Sequence, residues 1–176
     1  MACVRYLIYK NLAELNDLPQ EEAIKTLLDC CGSHKWAESM ADERPFQTLE
    51  HLFHAAEEKW FCLSTVDHLE AFAAHPKIGE TKSAIHGERF AEWSADEQAG
   101  ASTAEDPTKA ALAEVNRLYH EKFGFIFIVC ATGKSADEML AIAKARVRNS
   151  VETELKIAAE EQSKITKLRI EKLLER

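Results

Sequence analysis

The spacing of apolar residues predicts a chain that is almost entirely helical. Apolar side chains recur at intervals of three and four positions, which places them on one face of a helix. Leu52, Ala56 and Trp60 show this spacing, and Thr48 before them is a typical helix-capping residue. Helix starts are predicted near residues 17, 36, 48, 64, 94, 107, 135 and 152. The helix that starts near residue 17 is predicted to end at about Cys31, and the one that starts near residue 64 at or before Ala74.

Two segments depart from this helical pattern. Residues 76–93 contain Gly79 and Gly87 and few apolar side chains, so we predict a long loop, and long ordered loops in compact domains are usually functional. Residues 125–130 form one strand-like run, and because no second strand can pair with it, we predict an extended connector. The sequence therefore predicts an all-α fold, a single compact multi-helix domain over residues 1–176 with a long functional loop and one extended buried connector.

Composition and charge exclude several classes of protein. Apolar residues make up 46% of the 176 residues, which argues against a disordered or fibrous chain. Six Gly and four Pro are too few for the many turns of an all-β sandwich or barrel. The net charge is −8 and no cluster of Lys and Arg occurs, so the sequence predicts no nucleic-acid partner. An anionic substrate would need a local positive anchor against this charge.

The cysteines indicate a reducing compartment. Their number, five, is odd, no C-x-x-C motif occurs, and the vicinal pair Cys30 and Cys31 does not suit a disulfide framework. Reduced thiols are typical of cytoplasmic proteins, so we predict a cytoplasmic location. The apolar run in residues 1–9 is too short for a membrane span or a signal peptide, and no membrane partner is predicted.

His75 is the first candidate for catalytic chemistry. It precedes Pro76 at the predicted boundary between helix and loop, and a residue before proline is held in extended backbone that leads away from the helix end. Histidine titrates near neutral pH and therefore suits proton transfer. The structural alternative is a surface or capping histidine.

The tetrapeptide Ser-Ala-Asp-Glu at residues 94–97 predicts a helix start. A Ser-x-x-Glu capping box satisfies two backbone N–H groups at the beginning of a helix. The same four residues recur at 135–138, so the signature alone carries little functional information. Only Gln98 and Gly100, which follow the first copy, distinguish it from the second.

Arg169 is predicted to lie on the buried face of the last helix. Burying a guanidinium group is costly unless an anion pairs with it. Its partner is either an internal carboxylate or a carboxylate of a substrate, which suits the bidentate fork of arginine. The face that carries it is marked by Leu155, Ala158, Gln162, Ile165, Arg169 and Lys172.

A metal site must be weighed as well. His51, His54 and Glu58 could share one face of a helix and hold a metal ion. Di-metal helical bundles use Glu-x-x-His motifs, and none of the seven histidines here has Glu three positions before it. The metalloprotease motif, the dinucleotide-binding motif and the P-loop are absent too. The sequence therefore predicts no metal site and no cofactor.

Five short motifs occur in one uninterrupted order along the chain. They are Trp36 with Arg44-Pro45-Phe46, Ala74-His75-Pro76-Lys-Ile-Gly79-Glu80, Ser94-x-x-Glu97-Gln98-x-Gly100, Asn116-x-x-Tyr119-x-x-x-Phe123-Gly124-Phe125 and Lys164-Ile165-x-x-Leu168-Arg169. Together they resemble the OHCU decarboxylase family, the last enzyme of the ureide pathway from urate to allantoin, over about residues 11 to 174. The resemblance implies an all-helical, cofactor-free, usually homodimeric enzyme. It also implies a small-molecule substrate, 2-oxo-4-hydroxy-4-carboxy-5-ureidoimidazoline (OHCU), and the products (S)-allantoin and carbon dioxide.

The resemblance further implies which residues form the site. The catalytic histidine would be His75, the carboxylate beside it Glu97, and Arg169 an anion contact. The family often has proline where this chain has Ile126, so the connector departs from the family pattern there. The residues implied to bind substrate are Pro76, Ser94, Ala95, Asp96, Glu97, Gln98, Phe127, Ile128, Val129, Cys130, Ala131 and Arg169.

Two other classes of function stay open on the sequence alone. One is a helical partner-binding module without catalysis, and the other is a metal-binding bundle that uses His51, His54 and Glu58. The decarboxylase is the leading hypothesis, with His75 as the proton carrier. The imidazoline ring of its substrate can store the electron pair that decarboxylation leaves, so the chemistry needs none of the cofactors whose motifs are missing.

Overall fold

The computed structural model describes residues 2–79, 88–102 and 105–175, and these residues form ten α-helices and no β-strand. The all-α prediction is therefore confirmed. The helices are α1 (Ala2–Asp17), α2 (Gln20–Cys31), α3 (His34–Glu43), α4 (Leu49–Phe61), α5 (Thr65–Ala74), α6 (Glu88–Glu97), α7 (Ala99–Ser102), α8 (Asp106–Phe123), α9 (Ala136–Arg146) and α10 (Val151–Leu174).

Contacts divide the chain into two units. The first comprises Met1–His68 and Ser163–Arg176, and in it α2 packs on α3 and α3 packs on α4. The second comprises Leu69–Gln162, and in it α8 packs on α9 while the short α7 contacts α6 and α9. Most candidate site residues lie in the second unit. That the whole chain forms a single domain stays a prediction.

Capping residues begin several helices where the sequence predicted them. The hydroxyl groups of Thr48 and Ser135 accept hydrogen bonds from backbone N–H groups in the first turns of α4 and α9. Ser135 and Glu138 together form a complete capping box, in which each side chain satisfies a backbone N–H group of the other residue. These two helix starts are confirmed, as is the end of α5 at Ala74.

The prediction for the segment before Gln98 is wrong. Helix α6 begins at Glu88, so Ser94 lies inside the helix and does not cap it. Residues 80–87 of the predicted loop lie outside the described residues. Helix α1 was not predicted at all. The start of α6 was misplaced because its buried face is half polar, so the spacing of apolar residues does not reveal this helix. That face consists of Phe90, Trp93, Ser94 and Glu97.

The buried connector is confirmed. Helix α8 is capped at its C-terminal end by Gly124, whose φ of +77° is a left-handed conformation that glycine adopts without strain. The chain then runs without helix or strand to the start of α9. Its buried residues are Phe125, Phe127, Ile128, Val129, Cys130 and Ala131.

Gly100 lies where the backbone of another segment leaves no room for a side chain. A Cβ atom at this position would be 2.1 Å from the carbonyl oxygen of Lys134. We expect Gly100→Ala to lower the free energy of unfolding by about 3 kcal/mol, because backbone must move to relieve the overlap. Chemical denaturation measures this loss.

Gly124→Ala is the matched control for that substitution. A Cβ atom at Gly124 meets nothing within 4 Å, so only the left-handed backbone opposes alanine there. This strain should cost about 1 to 2 kcal/mol. Equal losses of unfolding free energy in the two variants would mean that the backbone at Lys134 moves away from the new methyl group at little cost.

None of the described helices is both long enough and apolar enough to cross a membrane.

Candidate active site

His75 lies immediately after α5 and is half-buried. Its backbone N–H donates to the carbonyl oxygen of Phe72 at 3.2 Å, which extends the last turn of the helix. Its ring atom Nε2 lies 2.8 Å from Oε1 of Gln162, and its ring centroid lies 5.1 Å from that of Phe90. The imidazole is therefore oriented by a buried amide on one side and an aromatic ring on another.

Gln98 holds the turn that follows His75. Its Nε2 donates to the carbonyl oxygen of Pro76 at 3.3 Å, and its Oε1 accepts from the backbone N–H of Gly79 at 3.1 Å. Asn116 on α8 donates from Nδ2 to the carbonyl oxygen of Ile78 at 3.0 Å. Three backbone groups of the turn are thus bonded to side chains, which restricts the direction in which the chain leaves His75.

Helix α6 separates its predicted site residues onto two sides. Ser94 and Glu97 are buried, with exposed fractions of 2% and 8%, whereas Ala95 and Asp96 are exposed. Ser94 and Glu97 share the buried face with Phe90, whose ring contacts His75. The structure therefore groups Ser94 and Glu97 with the histidine side of the helix and directs Ala95 and Asp96 away from it.

Cys130 is a buried thiol of the connector. Burial is the main cause that raises the pKa of the Cys130 thiol; Lys134 opposes the rise, and the carboxylates of Glu161 and Glu97 add to it. The thiol is thus held protonated and is not an activated nucleophile.

Arg169 lies in the first unit and is fully buried, as the periodicity of α10 predicted. Its Nη1 donates to the backbone carbonyl oxygen of Asp29 at 3.4 Å. Its contact with an anionic substrate stays a prediction.

His51, His54 and Glu58 do not gather into a metal site. Nε2 of His51 lies 3.4 Å from a carboxylate oxygen of Glu43, whereas Nε2 of His54 lies 4.0 Å from one of Glu58 on the exposed side of α4. No group of three or more His, Cys, Asp or Glu side chains among the described residues is arranged to hold a metal ion.

Sequence reasoning gave no role to two neighbouring residues of α10. Gln162 bonds to His75, and Oε2 of Glu161 accepts a hydrogen bond of 2.8 Å from the backbone N–H of Cys130. Gln162 carried a usable signal, because it lies on the apolar face of α10 and a buried amide needs a partner. Glu161 carried no such signal in the sequence, since only the path of the connector brings the backbone of Cys130 to its carboxylate.

Two curated proteins are similar to this chain in sequence. The uric acid degradation bifunctional protein of Arabidopsis thaliana is 46% identical over 149 residues, which cover 82% of this chain and 45% of that protein. The 2-oxo-4-hydroxy-4-carboxy-5-ureidoimidazoline decarboxylase of Haloferax volcanii is 26% identical over 160 residues, covering 90% of this chain and 93% of that protein. The chain thus spans less than half of the Arabidopsis protein and nearly all of the Haloferax protein.

A solved structure and a family model agree with these relatives. The crystal structure of an OHCU decarboxylase in the presence of (S)-allantoin matches with a TM-score of 0.75 and 39% identity, covering 86% of this chain and 99% of the other. The sequence model of the OHCU decarboxylase family matches residues 16–171. The resemblance inferred from the motifs is thereby confirmed, and the chain belongs to the OHCU decarboxylase family.

Proposed function

We propose that this chain catalyses the decarboxylation of OHCU to (S)-allantoin and carbon dioxide in urate degradation. Membership of the OHCU decarboxylase family supports this reaction. The similarity to the decarboxylase of Haloferax volcanii, which covers 90% of this chain and 93% of that protein, supports it too. The observation that carries the proposal is the arrangement around His75. A titratable side chain stands at a helix end, oriented by Gln162, next to a turn that Gln98 holds.

The reaction needs little beyond positioning and one proton transfer. Breaking the bond to the carboxylate releases carbon dioxide and leaves an electron pair, which the imidazoline ring of the substrate accepts. The 4-hydroxyl group then loses its proton and becomes the ring carbonyl, while a proton adds to one face of the neighbouring carbon that carries the ureido group, which gives one enantiomer of allantoin. An enzyme can accelerate this by holding the carboxylate out of the ring plane and by supplying a positioned acid or base.

The residues divide into a catalytic pair and a binding group. His75 carries the proton, because imidazole exchanges protons near neutral pH. Glu97 supplies the carboxylate of the pair from the buried face of α6. Pro76, Ser94, Gln98 and the backbone of residues 127–131 contact the substrate. Ala95 and Asp96 belong to the same segment of α6, and their exposure leaves them the weaker candidates.

Stereochemistry provides the decisive experiment for this proposal. Freshly generated OHCU is added to the purified protein, and optical activity is followed with time. We expect rapid formation of (S)-allantoin. Racemic allantoin formed at the spontaneous rate would contradict the proposal and favour the partner-binding module. Stoichiometric zinc or iron in the purified protein would instead favour the metal-binding bundle.

Arg169→Lys tests the proposed anion contact. Lysine keeps the positive charge but loses the planar fork that binds a carboxylate through two hydrogen bonds. We expect KM to rise about tenfold, a loss typical of one charge-assisted hydrogen bond, while thermal stability changes little. Normal substrate binding with a much lower melting temperature would make Arg169 a structural residue.

We further propose a homodimer in the cytoplasm, with the chain acting as one domain. The family resemblance supports the dimer. The location is supported by Cys30, Cys31, Cys62 and Cys130, which are thiols in the structure. Sedimentation of the purified chain at micromolar concentration measures the assembly.

A further inference from the structure

The side chain of Gln162 meets the catalytic imidazole at one particular nitrogen. Gln162 is fully buried on α10, and its side-chain oxygen Oε1 lies 2.8 Å from Nε2 of His75, the distance of a good hydrogen bond. His75 has two ring nitrogens, and which of them carries the hydrogen is set by the partner of one or the other. The amide of Gln162 is therefore in a position to decide the tautomer of His75.

The chemistry of an amide oxygen fixes the direction of this hydrogen bond. Such an oxygen accepts hydrogen bonds and does not donate them. Nε2 of His75 must then carry a hydrogen and donate it, because two acceptors at 2.8 Å would repel each other. A neutral imidazole has a single N–H, so its other nitrogen, Nδ1, holds the lone pair. The contact thus selects the Nε2–H tautomer.

The same hydrogen bond suits both protonation states of the ring. When Nδ1 takes up a proton, the imidazolium has an N–H group at each nitrogen, and Nε2 still donates to Oε1 of Gln162. When Nδ1 releases the proton, the neutral tautomer returns and the bond to Gln162 is unchanged. The ring therefore needs neither a rotation nor a new partner during proton transfer, and such preorganisation lowers the barrier.

Other contacts hold the imidazole in this orientation. The backbone N–H of His75 donates to the carbonyl oxygen of Phe72 at 3.2 Å, and Pro76 restricts the backbone on the other side. The ring of Phe90, which is fully buried, lies 5.1 Å from the imidazole between centroids, at an interplanar angle of 58°. Presenting Nδ1 to Gln162 instead requires the imidazole to turn over beside this ring.

An amide at position 162 has a different effect from a carboxylate. A carboxylate beside the ring favours the charged imidazole and raises its pKa. A neutral amide orients the ring without adding a charge, so it leaves the ring able to exchange a proton near neutral pH. Gln162 therefore combines a fixed orientation of His75 with an unaltered charge at this side of the ring.

We propose that Gln162 is a positioning residue that keeps the hydrogen of neutral His75 on Nε2, so that Nδ1 is the nitrogen that exchanges a proton with the substrate. The inference rests on the proposed function, because it names the atom that performs the transfer assigned to His75. A proton taken up at Nδ1 is released from Nδ1 within the same cycle, which returns the imidazole to its starting state. Gln162 acts through the imidazole.

NMR of the imidazole nitrogens measures the tautomer directly. The ¹⁵N-labelled protein is studied without substrate, at a pH where His75 is neutral, and its ring signals are identified by their loss in His75→Asn. A nitrogen that carries a hydrogen and one that holds a lone pair have well-separated shifts. We expect the hydrogen of His75 on Nε2. A hydrogen on Nδ1, or an even mixture of the two tautomers, would overturn the proposal.

Two substitutions of Gln162 test the consequence for catalysis. Gln162→Leu removes the acceptor, so we expect a mixture of tautomers and a fall in kcat of roughly tenfold or more, with KM little changed. Gln162→Glu keeps an acceptor for Nε2 and should preserve the tautomer. Its added charge favours the charged imidazole, so the part of the pH profile that His75 controls should move to higher pH.

Gln20→Leu is the matched control for the loss of an amide. Gln20 donates to Asp42 at 2.6 Å on the exposed surface of the first unit, so its replacement should leave both kcat and the tautomer of His75 unchanged. A normal kcat in Gln162→Leu, or a lower kcat with the hydrogen still on Nε2, would show that Gln162 does not act by selecting the tautomer. The NMR measurement on the unmodified protein decides the matter even where a Gln162 variant does not fold.

Failure of this inference differs from failure of the proposed function. A protein that does not convert OHCU refutes the function, and with it the transfer at Nδ1. A protein that makes (S)-allantoin at a normal rate, but whose neutral His75 carries its hydrogen on Nδ1, refutes only the role of Gln162.

Discussion

His75→Asn is expected to reduce turnover of OHCU by about 10²-fold or more while the protein stays folded. Asparagine keeps the polarity and approximate size of the side chain, although its shorter amide gives up the contact of Nε2 of His75 with Gln162, at 2.8 Å. It does not titrate near neutral pH, so the proton transfer assigned to this position is lost, and losses of that size are usual for a general acid or base. Steady-state kinetics with freshly generated OHCU measures the effect.

His68→Asn is the matched control for this substitution. His68 is also half-buried, and its Nε2 lies 2.9 Å from the carbonyl oxygen of Trp60. Because no catalytic role is assigned to His68, this variant should keep near-normal turnover. Near-normal turnover in His75→Asn as well would return His75 to the capping interpretation.

Glu97→Gln is expected to remove most of the activity, whereas Glu138→Gln leaves it intact. The two glutamates end identical tetrapeptides, but the structure uses them differently. Glu138 completes the capping box of α9 on an exposed surface, and glutamine can also make that hydrogen bond. Glu97 is buried on the face of α6 that carries Phe90, next to His75, and its negative charge is what an amide cannot replace.

The unfolding free energies of both variants should lie within about 1 kcal/mol of the wild-type value. Hydrogen bonds from the backbone and side chain of Ser135 lower the pKa of Glu138, so its carboxylate is charged at neutral pH and caps fully there. Kinetics and chemical denaturation of the two variants, measured in parallel, separate catalysis from stability. Equal activities would reduce Glu97 to a structural residue and leave His75 without its proposed partner.

The sequence by itself determined the helices whose ends are local events. A hydroxyl side chain such as Thr48 or Ser135 satisfies backbone N–H groups within its own first turn, and Gly124 ends α8 through its own backbone angle. Pro76 limited α5 in the same local way. The burial of Arg169 also followed from the sequence, because the period of a long helix defines its buried face.

Composition and motif order determined the family. The shortage of glycine and proline and the single strand-like run already favoured an all-α fold. The five motifs, in their order, pointed to the OHCU decarboxylases, and the match of the family model to residues 16–171 confirms this family.

Only the tertiary structure decided how the polar residues of the site are used. Ser94 was predicted to cap a helix, but it lies on the buried face of α6, because burial there depends on neighbours distant in sequence. Gln162 meets His75 across 87 positions, and Glu161 meets Cys130 across 31. No local pattern encodes such pairs, since each depends on the path of two segments at once. The connector shows the same limit: its sequence predicted burial, but only the fold brings Arg146 to the carbonyl oxygen of Ile128 and Glu161 to the N–H of Cys130.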